Sequence, residues 1–163
     1  MNRFISLFII SIISFPVFSY SESLLLGDIT KEELFSANSK FYKNYLASEP
    51  LDLEGQVNLE GLSIKILFGT WCHDSQREVP KILRLLDEIN MKSELISLIG
   101  LNYKKNEPLN RGEIFNIKKT PTIIFFRNDE EIGRIVEIPK LSIPGVGPVA
   151  VTMEQNILFI LKK

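Results

Sequence analysis

Residues 64–68 are apolar apart from Lys65. They lead through Gly69-Thr70-Trp71-Cys72 into a stretch where Val79, Ile82, Leu83, Leu86 and Ile89 recur at spacings of three and four. The apolar run has strand character, and the spacing that follows marks one face of a helix. The stretch therefore predicts a strand, a tight turn and a helix, ending near Asn90. Residues 94–101 are again nearly all apolar, as in a strand buried on both faces of a sheet. Strand, helix and strand in that order imply a parallel pair joined by a right-handed crossover, which commits the chain to an α/β fold. The only cysteine, Cys72, falls at the last step before the helix. Unpaired amides and the positive end of the helix dipole favour an anion there, and a thiolate is such an anion.

The rest of the chain reads around this unit. Thr30-Lys31-Glu32-Glu33 is a capping box. The helix it opens is expected over 30–47, with Leu34, Phe35, Phe41, Tyr42, Tyr45 and Leu46 on one face as core packing. Pro50 and Gly55 mark a loop, followed by a short strand at 56–59. Residues 102–111 read as a loop and 112–116 as a short helix. A strand over 122–127, a turn at Asn128-Asp129 and a strand over 131–138 make a hairpin. Residues 139–148 hold three prolines and two glycines and are expected as a non-helical loop, either a lip facing substrate or an idle insertion. Thr152-Met153-Glu154-Gln155 is a second capping box, opening a last helix with Met153, Ile157, Ile160 and Leu161 inward.

Trp71-Cys72-His73-Asp74-Ser75 resembles the Trp-Cys-x-x-Cys active-site turn of the thioredoxin superfamily, with serine in place of the second cysteine. Pro80, eight residues after Cys72, matches the proline of that family's active-site helix. Residues 115–126, with Thr120-Pro121 and an apolar strand after them, resemble the segment holding its cis-proline. The resemblance covers about residues 59–137. It implies a thioredoxin-like α/β fold, a central mixed sheet flanked by helices, in a domain over 59–163 with a helical extension over 22–58. It also implies that Cys72 is the nucleophile and that Pro121 is cis and faces it. Trp71 would pack beside the thiol, and the backbone at Thr120 would pair with an extended substrate. Where the family keeps a buried acid, six residues before the cysteine, this chain has Ile66.

Thiolate attack on a disulfide sulfur gives a mixed disulfide; the opposing reading of Cys72 is a buried, inert thiol. Ser75 cannot resolve a mixed disulfide, because displacing a thiolate from sulfur takes another sulfur. Its hydroxyl is left to donate to the Cys72 thiolate or to help cap the helix. His73 is either a cation that stabilises the thiolate or a bland surface residue. Asp74 opposes a thiolate but suits a helix start, and Arg77 is available to offset it. Arg77 and Glu78 read as solvated surface. Cys72, His73, Asp74 and Glu78 lie too close in sequence on a tight turn to converge on one metal ion, so no metal is expected.

A net charge of −1, with no basic stripe, argues against a nucleic-acid partner. One cysteine excludes an intramolecular disulfide and a multi-cysteine zinc site within the chain. Arg3, an apolar stretch over 4–18 and small residues around Ser19 and Ser21 fit a signal peptide over 1–21. The other reading is an uncleaved membrane anchor. Periplasmic or secreted location follows from the first, membrane attachment from the second. The expected function is thiol–disulfide exchange through Cys72, with protein or small-molecule thiols and disulfides as partners. No cofactor is expected beyond glutathione or another thiol as co-substrate. The rival is a non-catalytic peptide- or protein-binding module; a peroxide-reactive thiol is a weaker third reading.

Overall fold

In a computed structural model of the chain, residues 24–49 and 57–162 are described. The expected signal segment and the loop marked by Pro50 and Gly55 lie outside them. The elements in chain order are β1 (Gly27–Ile29), α1 (Lys31–Ala37), α2 (Ser39–Ala47), β2 (Leu62–Phe68), α3 (His73–Glu88), β3 (Ile96–Gly100), α4 (Arg111–Ile114), β4 (Thr122–Arg127), β5 (Glu130–Val136), β6 (Lys140–Ile143), β7 (Gly147–Ala150) and α5 (Met153–Leu161). They form a mixed α/β structure. Its five-stranded sheet has the order β1-β3-β2-β4-β5, with β2 parallel to β3 and every other pair antiparallel.

The period of two along the strands divides the core between the sheet's two faces. Leu62, Ile64, Ile66 and Phe68 of β2 join Ile123 and Phe125 of β4 on one face. They pack against Leu34, Phe41, the apolar side of α3 and Met153, Ile157 and Ile160 of α5. Leu67, Ile99 and Ile124 point the other way, to Leu101 and Ile117. Ile66 is fully buried, opposite Leu98 and Ile123. Val79, Ile82, Leu83, Leu85 and Leu86 bury the inner face of α3, and each such side chain contributes about 1.5–3 kcal/mol.

Three expectations change. The helix expected over 30–47 breaks at Asn38, which is extended and nearly fully buried. Its side chain accepts from Lys40 N and caps α2. Tyr42 and Leu46 consequently face solvent, while Leu34 and Phe41 are buried. Residues 57–59 carry no strand; instead Gly27–Ile29, in the stretch expected as helical extension, adds an edge strand to β3. Residues 140–150 are not a plain loop, because β6 and β7 pair as a hairpin, from Lys140 opposite Ala150 to Ile143 opposite Gly147. Gly145 and Gly147 supply the positive φ values at its turn. Both capping boxes form as expected. The Asn128-Asp129 turn forms too, with both residues in the left-handed region that two-residue hairpins use.

Candidate functional site

The strand-turn-helix junction is fixed mainly by backbone polar groups. Cys72 N donates to Gly69 O at 3.0 Å, and Gln76 N closes the first helical bond to Cys72 O at 2.9 Å. Gly69 N donates to Ser75 Oγ at 3.3 Å, with Ser75 fully buried. The carbonyl of Thr70 receives Gln76 Nε2 at 2.8 Å and Asn38 Nδ2 at 3.4 Å. The break between α1 and α2 therefore clamps the turn from outside. Trp71 Nε1 donates to Leu101 O at 3.0 Å, tying the turn to the end of β3. The indole lies over Gly69, where a Cβ would come within 2.5 Å of its ring. Its other neighbour is the exposed Tyr103, with ring centroids 4.7 Å apart.

Cys72 is the N-cap of α3 and makes no side-chain cap bond to the first turn. Its thiol is partly exposed and donates to Thr120 O at 3.1 Å. The Thr120–Pro121 peptide bond is cis. Thr122 Oγ1 donates to Lys119 O at 2.7 Å, and Glu137 N donates to Pro121 O at 2.8 Å. Lys119 and Glu137 pair across the outside at 2.6 Å. Cys72, Thr120 and Pro121 thus form one locus, with Ser75 beneath the turn and Trp71 over it. His73 is exposed on the first turn of α3.

Helix α3 runs unbroken through Pro80, which lacks the N–H that would bond Gln76 O. Asn44 of α2 supplies a substitute, with Nδ2 2.7 Å from Gln76 O. Asp74 pairs with Arg77 at 2.7 Å. Glu78 is not solvated surface: its side chain is 4% exposed and takes Arg77 at 2.6 Å and Lys81 at 3.2 Å. The bond to Glu78 is the main reason the Arg77 guanidinium is held above its ordinary range. Among the described residues no three His, Cys, Asp or Glu side chains converge as a metal site.

Asn38, Asn44 and Gln76 were not expected at the site. Gln76 carried a signal, since it lies on the apolar stripe of α3, three residues before Val79. Asn38 carried a weaker one as a good N-cap residue inside an expected helix. No family model matches the chain, and no curated protein matches it in sequence.

Proposed function

We propose that this is a thioredoxin-like fold carrying an exported thiol–disulfide exchange protein, with Cys72 as its single nucleophile. One observation carries the reading: the Cys72 sulfur sits at the foot of a 16-residue helix, 3.1 Å from the carbonyl that precedes Pro121. The thiolate attacks one sulfur of a substrate disulfide. A new S–S bond forms at Cys72, and the other substrate sulfur leaves as a thiolate with the bonding electrons. On deprotonation Cys72 releases the Thr120 carbonyl, which becomes free to accept an N–H from an extended substrate. Ser75 is engaged with Gly69 N and carries no sulfur. A thiol from outside must therefore attack the substrate sulfur and return Cys72 as thiolate.

Glutathione-coupled reduction of a small disulfide tests this. Wild-type chain is expected to turn over and Cys72→Ala to lose all activity; equal activity in the two would refute the reading. A second reading is a binding module for peptides or proteins, favoured by the cis Thr120–Pro121 segment, whose backbone can pair with an extended peptide without any reaction at sulfur. It predicts that Cys72→Ala retains its partners in pull-downs, and their loss would count against it.

A further inference from the structure

A polar pocket of about 430 Å³ opens between residues 102–106 and 112–118. Its lining includes Lys104, Lys105 and Lys118 and one carboxylate, Glu113. Three cations less one anion leave this small surface at +2, in a chain whose net charge is −1. The neighbouring cations are already engaged: Lys119 with Glu137, and Arg111 with Glu107 and Asp28. Lys104, Lys105 and Lys118 have no ion-pair partner among the described residues.

The loop presenting Lys104 and Lys105 is built rather than loose. Asn102 Oδ1 accepts from Lys104 N at 2.8 Å and from Asn106 N at 3.2 Å. Lys105 N donates to Asn102 O at 2.8 Å. Lys105 itself holds a φ of 63°, in the left-handed region few lysines adopt. Its carbonyl packs so closely on Gly112 that a Cβ there would clash. Both walls of the pocket are continuous in sequence with residues that touch the Cys72 turn. Lys104 follows Tyr103, whose ring stacks on Trp71 next to Cys72. Lys118 lies two residues before Thr120, the acceptor of the Cys72 thiol, and two residues span at most about 7 Å.

We infer that this pocket binds carboxylates and favours thiols and disulfides that carry them in their reaction at Cys72. The inference rests on the exchange reading for its consequence, though not for the binding itself. Removing three lysine charges, each taken to act on one carboxylate across roughly 8 Å of water, costs on the order of tenfold at low salt, and screening removes the effect at high salt.

The test measures mixed-disulfide formation by the full chain with three disulfides: glutathione disulfide (anionic), 2-hydroxyethyl disulfide (neutral) and cystamine (cationic). The comparison is the triple variant Lys104→Gln, Lys105→Gln, Lys118→Gln. Among these three, a loss on the order of tenfold confined to glutathione disulfide, and abolished by salt, is expected. An equal change for all three disulfides, or none, overturns the inference. A disulfide made from an acidic peptide distinguishes the source. Slowing of the peptide as well as glutathione disulfide extends the pocket to protein carboxylates, and slowing of glutathione disulfide without the peptide confines it to the small molecule. Should Cys72 react with none of them, the exchange reading fails, and binding of S-methylglutathione to Cys72→Ala decides the pocket. Salt-sensitive binding that the lysine substitutions remove upholds it, and no binding overturns it.

Discussion

The contact between Asn44 and Pro80's orphaned partner makes the sharpest prediction. In an uninterrupted helix the N–H of residue 80 would bond Gln76 O; with proline there, Asn44 Nδ2 fills the gap at 2.7 Å. Asn44→Ala removes a neutral hydrogen bond with a net value of about 0.5–1.5 kcal/mol and leaves a buried acceptor, a penalty of about 1–3 kcal/mol. Asn44 lines an open cleft, so water reaches part of the site. The expected loss is therefore toward the low end, about 1.5 kcal/mol. In a Pro80→Ala background the restored N–H bonds Gln76 O along the helix, and the same Asn44→Ala change should cost only about 0.5 kcal/mol. The cycle thus predicts a coupling of about 1 kcal/mol, well above the additivity error for independent sites. Urea denaturation, followed by the fluorescence of the single Trp71 and by circular dichroism, measures all four chains. An equal cost for Asn44→Ala in both backgrounds would show that it does not serve the carbonyl freed by Pro80.

Burial pushes the Glu107 carboxyl up, but bonds from the Arg111 guanidinium and from the Leu109 and Arg111 amides outweigh it and hold it below its ordinary range. A depressed carboxyl contributes stability above its unfolded value of about 4.3 and loses it as pH falls through the folded value. Glu107→Gln should cost about 2 kcal/mol at neutral pH and flatten the loss of stability below about pH 5; an unchanged acid limb would contradict the assignment. Gly69→Ala should drive the Trp71 ring away and break its bond to Leu101 O, because no room for a Cβ exists. A cost of about 1–3 kcal/mol and a red-shifted tryptophan emission are expected, and an unshifted spectrum would refute the contact. Ser75→Cys should add intramolecular resolution and raise insulin reductase activity if Cys72 is reactive. Absence of gain would point to an inert thiol or to the missing acid at Ile66.

Much of the fold was readable because its signals are local. The strand, the turn and helix α3 follow from apolar periodicity, and the two capping boxes mark their helix starts within four residues each. The break at Asn38 had only a faint local signal, its N-cap residue type, because its anchor is tertiary: the amide reaches Thr70 O, 32 residues away. Edge strand β1 has only three residues, too few to establish a period, and its pairing with β3 defines it. The hairpin of β6 and β7 hides behind its own prolines and glycines, which in an isolated two-stranded ribbon are tolerated, as with Pro148 opposite Ser142. At the site, Cys72 and Thr120-Pro121 were legible as motifs. The buried Glu78 was not, since its partners Arg77 and Lys81 are exposed and look like ordinary helix-surface charges.

On the proposed reading Cys72 exchanges with disulfides and an outside thiol releases the product. Intact-mass analysis tests it most directly, on wild-type chain incubated with glutathione disulfide and then with reduced glutathione. A single glutathione adduct on Cys72 that reduced glutathione removes, and no adduct on Cys72→Ala, is the expected result. A wild-type chain that stays unmodified while a free model thiol reacts would contradict it.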